Sequence, residues 1–435
     1  MNDPREERIR GEVAGRLAAR LREDQADRRL ALAEQDRVAL GHELIAEVLQ
    51  EEAEAALSHG RPVLSSEEED GLARAVFDAL FGLAGFQPLL DDPSIENINA
   101  NGADNVRVRY ADGRSEQVDP VATSDDALVD LIRTAAARLG VGERRFDLGV
   151  PRLSLQLPDG SRLFAVMAVT GRPCVSIRRH RFLKITPDDL ISLGMLDVGL
   201  RRFFRGAVLA KKNLIICGGT GIGKTTMLRA LAADIPPEER LVTIEDSLEL
   251  GLDRDPELHS DVVAMQAREP NVEGEGEVTQ AELVRWALRM SPDRVIVGEI
   301  RGPEVVPMCN AMSQGNDGSM ATLHASSSRG AFTKLATYAI QAPERLPLEA
   351  TNLLVANALD FVVYLALDAR GHRVVSSVRE VIDADGQQVV SNEVFRPDPD
   401  GHAIPGVPFR TETLDDLVGA GFDPALLERR GGWWE

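Results

Sequence analysis

The residues Cys217-Gly218-Gly219-Thr220-Gly221-Ile222-Gly223-Lys224-Thr225-Thr226 stand between an apolar run, Leu214-Ile215-Ile216, and a helical pattern through Met227-Leu228-Arg229-Ala230-Leu231. A glycine, four residues and then Gly-Lys-Thr, set between a buried strand and a helix, is chemistry for phosphate. Backbone N–H groups surround an anion at the helix start, where the helix dipole also favours negative charge. The glycines permit close backbone approach. Lys224 would reach β- and γ-phosphates, and the Thr225 hydroxyl would complete a Mg²⁺ shell, because amides alone do not neutralise a triphosphate. ATP and Mg²⁺ are the expected ligands; the bland alternative is a Gly-rich turn that binds nothing.

Hydrolysis asks for more than a cradle. It needs a carboxylate to orient water and acids to organise the metal, all at the ends of neighbouring strands. Val295-Ile296-Val297-Gly298-Glu299 is an apolar strand ending in an acid, so Glu299 is the candidate to hold water in line and help organise Mg²⁺. Leu241-Val242-Thr243-Ile244-Glu245-Asp246 ends in two more acids, and Glu245 and Asp246 are candidates for the Mg²⁺ water shell. Gly318-Ser319-Met320-Ala321-Thr322-Leu323-His324-Ala325 closes another strand, where His324 suits a γ-phosphate sensor whose hydrogen bond disappears on hydrolysis. Each has a plain counterpart, since strand ends are commonly acidic and a lone histidine is more often structural than catalytic.

These residues act together only if their strands share a sheet. From residue 213, strands at 214–217, 241–244, 262–265, 295–297 and 320–323 alternate with helices after the phosphate loop and at 280–290, 304–312 and 328–340. That alternation is α/β, a parallel sheet with crossover helices. Ahead of it, strands at 95–99, 106–110, 161–167 and 174–179, a helix at 125–139, and turns at Asn101-Gly102, Asp112-Gly113 and Pro158-Asp159-Gly160 make a smaller α/β domain. The expected organisation is a helical extension and linker (1–70), a small α/β N-terminal domain (71–185), a hinge (186–212), the nucleotide domain (213–360) and a C-terminal appendage (361–435) with antiparallel strands at 361–365, 373–378 and 388–390. In the extension Ile9, Val13, Leu17 and Leu21 recur every fourth residue, a narrow apolar stripe that either docks a partner or packs on its own domain. Trp433-Trp434 poses the same pair of readings: an aromatic docking tag, or packing against its own domain.

With 435 residues the chain exceeds one ordinary core, and 43% hydrophobic content is globular. A formal net charge of −21 opposes a general nucleic-acid or anionic-membrane binder. Cys174, Cys217 and Cys309 lie far apart with no Cys-x-x-Cys, which suits a reduced compartment. There is no apolar signal core at the N-terminus, no run near the roughly 18 apolar residues that span a bilayer, and no basic amphipathic helix. The expectation is a cytoplasmic protein that binds no nucleic acid and does not insert into a membrane.

Taken in order, the phosphate loop, Ile244-Glu245-Asp246, Asn271-Val272-Glu273-Gly274-Glu275-Gly276-Glu277, Leu288-Arg289-Met290-Ser291-Pro292-Asp293-Arg294-Val295-Ile296-Val297-Gly298-Glu299-Ile300-Arg301, and Asp317-Gly318-Ser319 to His324-Ala325 resemble the type II/type IV secretion ATPases, most nearly the CpaF-like, Tad-pilus branch. The resemblance runs from about residue 70 to the end. It implies a RecA-like P-loop NTPase domain beside the smaller N-terminal domain, ATP bound at the hinge, and assembly into a hexameric ring. It implies that Glu245 and Asp246 form the Asp box, Glu299 ends the Walker B strand and His324 ends the His box. Arginines of the N-terminal domain approach the γ-phosphate in that family; Arg162 and Arg178 match two of these positions, while Gln156 stands where a further arginine is usual. The implied partners are a polytopic inner-membrane platform protein and, indirectly, pilin or secreted substrate, with the motor at the cytoplasmic face of the inner membrane. A nucleotide-binding scaffold with weak hydrolysis and a RecA-type nucleic-acid motor are the other readings.

Overall fold

A computed structural model describes residues 4–28, 34–110, 112–139, 145–179, 184–270 and 274–428. Asn271, Val272, Glu273 and the Trp433-Trp434 pair lie outside the described residues. The chain divides into two compact units, Met1–Arg181 and Phe182–Glu435.

The first unit opens with helices α1 (Pro4–Arg28), α2 (Glu34–Ser58) and α3 (Ser66–Leu80). The every-fourth stripe of α1 is buried within this unit: Ile9 and Val13 pack with Leu44, Ile45, Val48 and Leu49 of α2 and with Leu72 and Val76 of α3. A capping box starts α3, Ser65 taking the N–H of Glu68 while the Glu68 carboxylate takes that of Ser65. After α4 (Gln87–Asp91) come β1 (Ile95–Asn101), β2 (Val106–Tyr110), β3 (Ser115–Val118), α5 (Asp125–Leu139), β4 (Arg152–Gln156), β5 (Arg162–Val166) and β6 (Cys174–Arg178). The strands form one antiparallel sheet in the order β3-β2-β1-β6-β5-β4. Alternation buries Ile98, Val108, Leu155, Leu163 and Ile177 with Leu128 and Ile132 of α5. The polar partners of that alternation, Arg109, Asn97, Arg178, Arg162 and Gln156, occupy the other face.

The second unit runs α6 (Pro187–Ser192), α7 (Val198–Leu209), β7 (Leu214–Gly218), α8 (Lys224–Ala232), β8 (Leu241–Glu245), β9 (Val262–Gln266), α9 (Gln280–Ala287), β10 (Arg294–Ile300), α10 (Val305–Ser313), β11 (Met320–His324), α11 (Ser328–Gln341), α12 (Leu348–Ala358), β12 (Phe361–Leu367), β13 (Arg373–Ala384), β14 (Val389–Pro397), β15 (Ala403–Pro405) and α13 (Thr411–Gly419). Its nine strands lie in the order β15-β14-β13-β12-β7-β11-β10-β8-β9. The run from β12 to β9 is parallel. Strands β7 and β8 are buried along their whole length, as a sheet covered on both faces requires. Leu200, Phe203, Met227 and Leu231 of α7 and α8 fill one face. Val284, Met308, Leu335 and Val355 of α9 to α12 fill the other.

The tail differs from a separate appendage. Strands β12 to β15 are antiparallel to one another, but β12 pairs in parallel with β7 from Phe361↔Leu214 to Leu365↔Gly218, so the tail extends the nucleotide domain's sheet. The cause is the apolar run Phe361-Val362-Val363, buried on both faces and so placed beside the central strand. Among the described residues no helix is long and apolar enough to cross a membrane.

Candidate functional site

The phosphate loop leaves β7 and enters α8. Gly218 is glycine because a Cβ there would lie 2.7 Å from the Leu365 carbonyl of neighbouring β12. Gly223 has φ +95°, a left-handed conformation that suits glycine, and it is the N-cap of α8. It brings no side-chain acceptor, so no side chain caps the helix start. Around Gly219 and Gly221 there is open space, with nothing within 4 Å of an added Cβ. Lys224 folds back over the loop, its Nζ donating to the Gly219 carbonyl at 2.8 Å and the Gly218 carbonyl at 3.3 Å. Open glycine backbone, an uncapped helix start and a lysine lying across both fit an anionic triphosphate.

Parallel register brings the other candidates to the same carboxyl edge. Strand β11 flanks β7 with His324 opposite Gly218, and β10 flanks β11. The His324 ring nitrogens lie 3.3 Å from Lys224 Nζ, and His324 Nε2 lies 2.8 Å from Glu299 Oε1. That last contact is at ion-pairing distance without hydrogen-bond alignment, for Glu299 Oε1 accepts no aligned bond.

Glu299 owes its direction to a β-bulge. From Val297↔Ala321 to Ile300↔Leu323, β10 advances three residues while β11 advances two. The extra residue falls at Gly298-Glu299 and turns the side chain, as bulges beside functional sites do. Thr322 Oγ1 donates to the Gly298 carbonyl at 2.6 Å, satisfying a group at the irregularity.

Glu245 and Asp246 are expected to share one role, and the structure separates them. Glu245 is 3% exposed and its Oε1 accepts the N–H groups of Glu249 and Leu250, both at 2.9 Å, so it holds the turn after β8. Burial pushes its carboxyl up to about 8, against those two hydrogen bonds. The site for its side chain exists because residue 298 is glycine: a Cβ there would stand 2.9 Å from Glu245 Cγ. Asp246 is exposed, and its carboxylate pairs with Arg301 at 2.9 Å.

Arg301, at the end of the stretch Leu288 to Arg301, is a site residue that the sequence motifs do not single out. Its Nε and Nη2 donate to Glu299 Oε2 at 2.8 and 2.6 Å, and its Nη1 donates to Asp246 Oδ2. The spacing Glu-x-Arg at a strand end, which puts both side chains on one side, was the available signal.

Among the described residues no three His, Cys, Asp or Glu side chains form a metal cage. Thr225 in the first turn of α8, with Asp246 and Glu299 at the strand ends, instead suits Mg²⁺, which is commonly held by one or two protein groups together with phosphate oxygens.

In the first unit Gln156, Arg162, Arg178, Asn97 and Arg109 are successive partners across β4, β5, β6, β1 and β2. Arg162 and Arg178 are thus nearest neighbours in one cross-strand row, and Gln156 is the next member beyond Arg162.

A parallel sheet with a glycine loop entering a helix beside strand-end acids defines a RecA-like P-loop protein. The model of the family described as type II/IV secretion system protein matches residues 86–390, and the chain belongs to that family. A Mycobacterium tuberculosis (strain H37Rv) protein provisionally described as a conjugal transfer protein is 32% identical over 326 residues, 72% of this chain and 88% of that one. The type IV secretion system protein VirB11 of Brucella suis is 30% identical over 315 residues, 66% of this chain and 84% of that one. A crystal structure of the pilus retraction motor PilT with bound ADP covers 80% of this chain and 98% of its own, with a TM-score of 0.51 and 18% identity, a likeness of fold.

Proposed function

We propose that the chain is an ATP-hydrolysing motor that works as a hexameric ring and powers pilus assembly or protein secretion across the cell envelope. The observation that carries this reading is the meeting of Lys224, His324 and Glu299 at the carboxyl edge of adjacent strands. The backbone of Gly218 to Thr226 and the Lys224 ammonium bind the phosphates, and Thr225 and Asp246 would hold the cation. When bound, Mg²⁺ supplies neutralisation of the charge that develops on the transferred phosphoryl group. Glu299 orients water, and His324, set between Glu299 and Lys224, reports the γ-phosphate. Glu245 holds the turn that presents Asp246.

Arg162 and Arg178 are assigned to the γ-phosphate when the hinge closes, supported by their adjacency in one row and by the family's pattern. Closure gains affinity from ATP and loses it after hydrolysis, which turns chemical free energy into domain rotation. The motif order supports a CpaF-like motor. Its partners are an inner-membrane platform protein and, indirectly, pilin or secreted substrate; it sits at the cytoplasmic face of the inner membrane through those partners. A second reading, a nucleotide-binding scaffold with weak hydrolysis, is favoured by Gln156 beside Arg162 where an arginine finger is worth orders of magnitude in rate. The net charge of −21 stands against a nucleic-acid motor.

Titration with a fluorescent ATP analogue tests the cradle. Lys224→Ala is expected to weaken binding at least tenfold while the protein's melting temperature stays within a few degrees. Equal affinity in the two proteins would show that the phosphate loop does not bind the nucleotide.

A further inference from the structure

Glu299 reaches the site from the end of a bulged strand, where a carboxylate has rotational freedom unless something holds it. What touches it is Arg301, two residues on, with two N–H groups on the single oxygen Oε2, leaving Oε1 toward His324. The third contact of the same guanidinium, to Asp246, ties β10 to its neighbour β8. A planar, forked cation can bridge two carboxylates in this way, whereas an ammonium is a point charge.

Arg301 is itself held. Glu304, 6% exposed, accepts the backbone N–H of Arg301 and, at 2.8 Å, that of Gly302, which fixes the turn at the end of β10. The order of support is therefore Glu304 to the turn, the turn to Arg301, and Arg301 to Glu299 and Asp246.

We infer that Arg301 is a positioning residue: it locks the rotamer of Glu299 by occupying Oε2, couples it to Asp246, and so holds Oε1 against His324. This inference rests on Glu299 being the water-orienting carboxylate. A guanidinium that positions a reacting group acts on turnover and not on nucleotide affinity, since misplacement by about an ångström costs up to about 100-fold in rate.

The experiment is steady-state Mg²⁺-ATP turnover of the full chain in Arg301→Gln, Arg301→Lys, Glu299→Gln and the Glu299→Gln/Arg301→Gln pair, with KM for ATP measured in each. The expected result is a kcat about 10- to 100-fold lower in Arg301→Gln, with KM within about twofold, and a smaller loss in Arg301→Lys. In the Glu299→Gln background the Arg301 change should remove nothing further from residual turnover, because a residue acting through Glu299 has no target there. Arg301→Lys keeps the charge and so retains a test should the glutamine variant fail to fold. An unchanged or raised kcat, a change confined to KM, or equal losses in both backgrounds would overturn the inference. Full turnover by Glu299→Gln would sink the functional reading and this inference with it; a Glu299→Gln reduced to residual turnover beside an unaffected Arg301→Gln sinks this inference alone.

Discussion

Glu245 and Glu299 end adjacent strands, yet the fold treats them oppositely. Gly298 opens room for Glu245 to turn inward and cap the 249–250 turn, while the bulge at the same glycine turns Glu299 toward His324. The carboxyl of Glu245, raised from 4.5 to about 8 chiefly by burial, keeps its proton in the folded protein at pH values where the unfolded chain has released it. Its stabilising contribution is therefore full below about pH 4.5 and is lost as pH rises through about 8. Glu245→Gln, which stays neutral, should show a urea midpoint that falls less between pH 5 and 8 than the wild type's. Parallel pH dependences in the two proteins would contradict this. The strand-end acids were legible in the sequence because an apolar run followed by an acid is a one-dimensional pattern. Their different fates were not, because a bulge is a mismatch between two strands 24 residues apart, and no periodicity within β10 records it.

The elements that carry the site are pinned at their far ends. Arg294, at the start of β10, is 1% exposed; it pairs with Glu239 at 2.7 and 3.1 Å and donates to the carbonyls of Val208 and Gly318. Removing Arg294 leaves the part-buried Glu239 with Lys211 at 3.7 Å and two carbonyls without that donor, so Arg294→Met should cost about 2–4 kcal/mol in denaturant unfolding. A cost under about 1 kcal/mol would show that the pair does not hold the strand. Strands β7, β8, β10 and β11 are legible in the sequence because buried parallel strands are continuous apolar runs bounded by turns, although β10 runs on through Ile300, three residues past the expected 295–297. β12 was read as a strand but not as a neighbour of β7, since strand order is a tertiary property. Helix α12 went unread, and so did the short polar edge strand β3, Ser115-Glu116-Gln117-Val118, whose pairing with β2 outweighs its weak pattern.

At the scale of the molecule, the second unit carries the phosphate loop and the strand-end acids, and the first carries Arg162 and Arg178 side by side on its polar sheet face. The family match, from residue 86 to 390, spans about half of the first unit and most of the second. Composition narrowed the choices by charge, and the motif order named the family. A ring whose subunits work together requires turnover that depends on assembly. The most direct measurement is Mg²⁺-ATP turnover per subunit against protein concentration, wild type beside Glu299→Gln. Turnover per subunit is expected to rise as subunits assemble and to fall to a small residual level in the variant. Turnover independent of concentration, or equal in the two proteins, would contradict this reading.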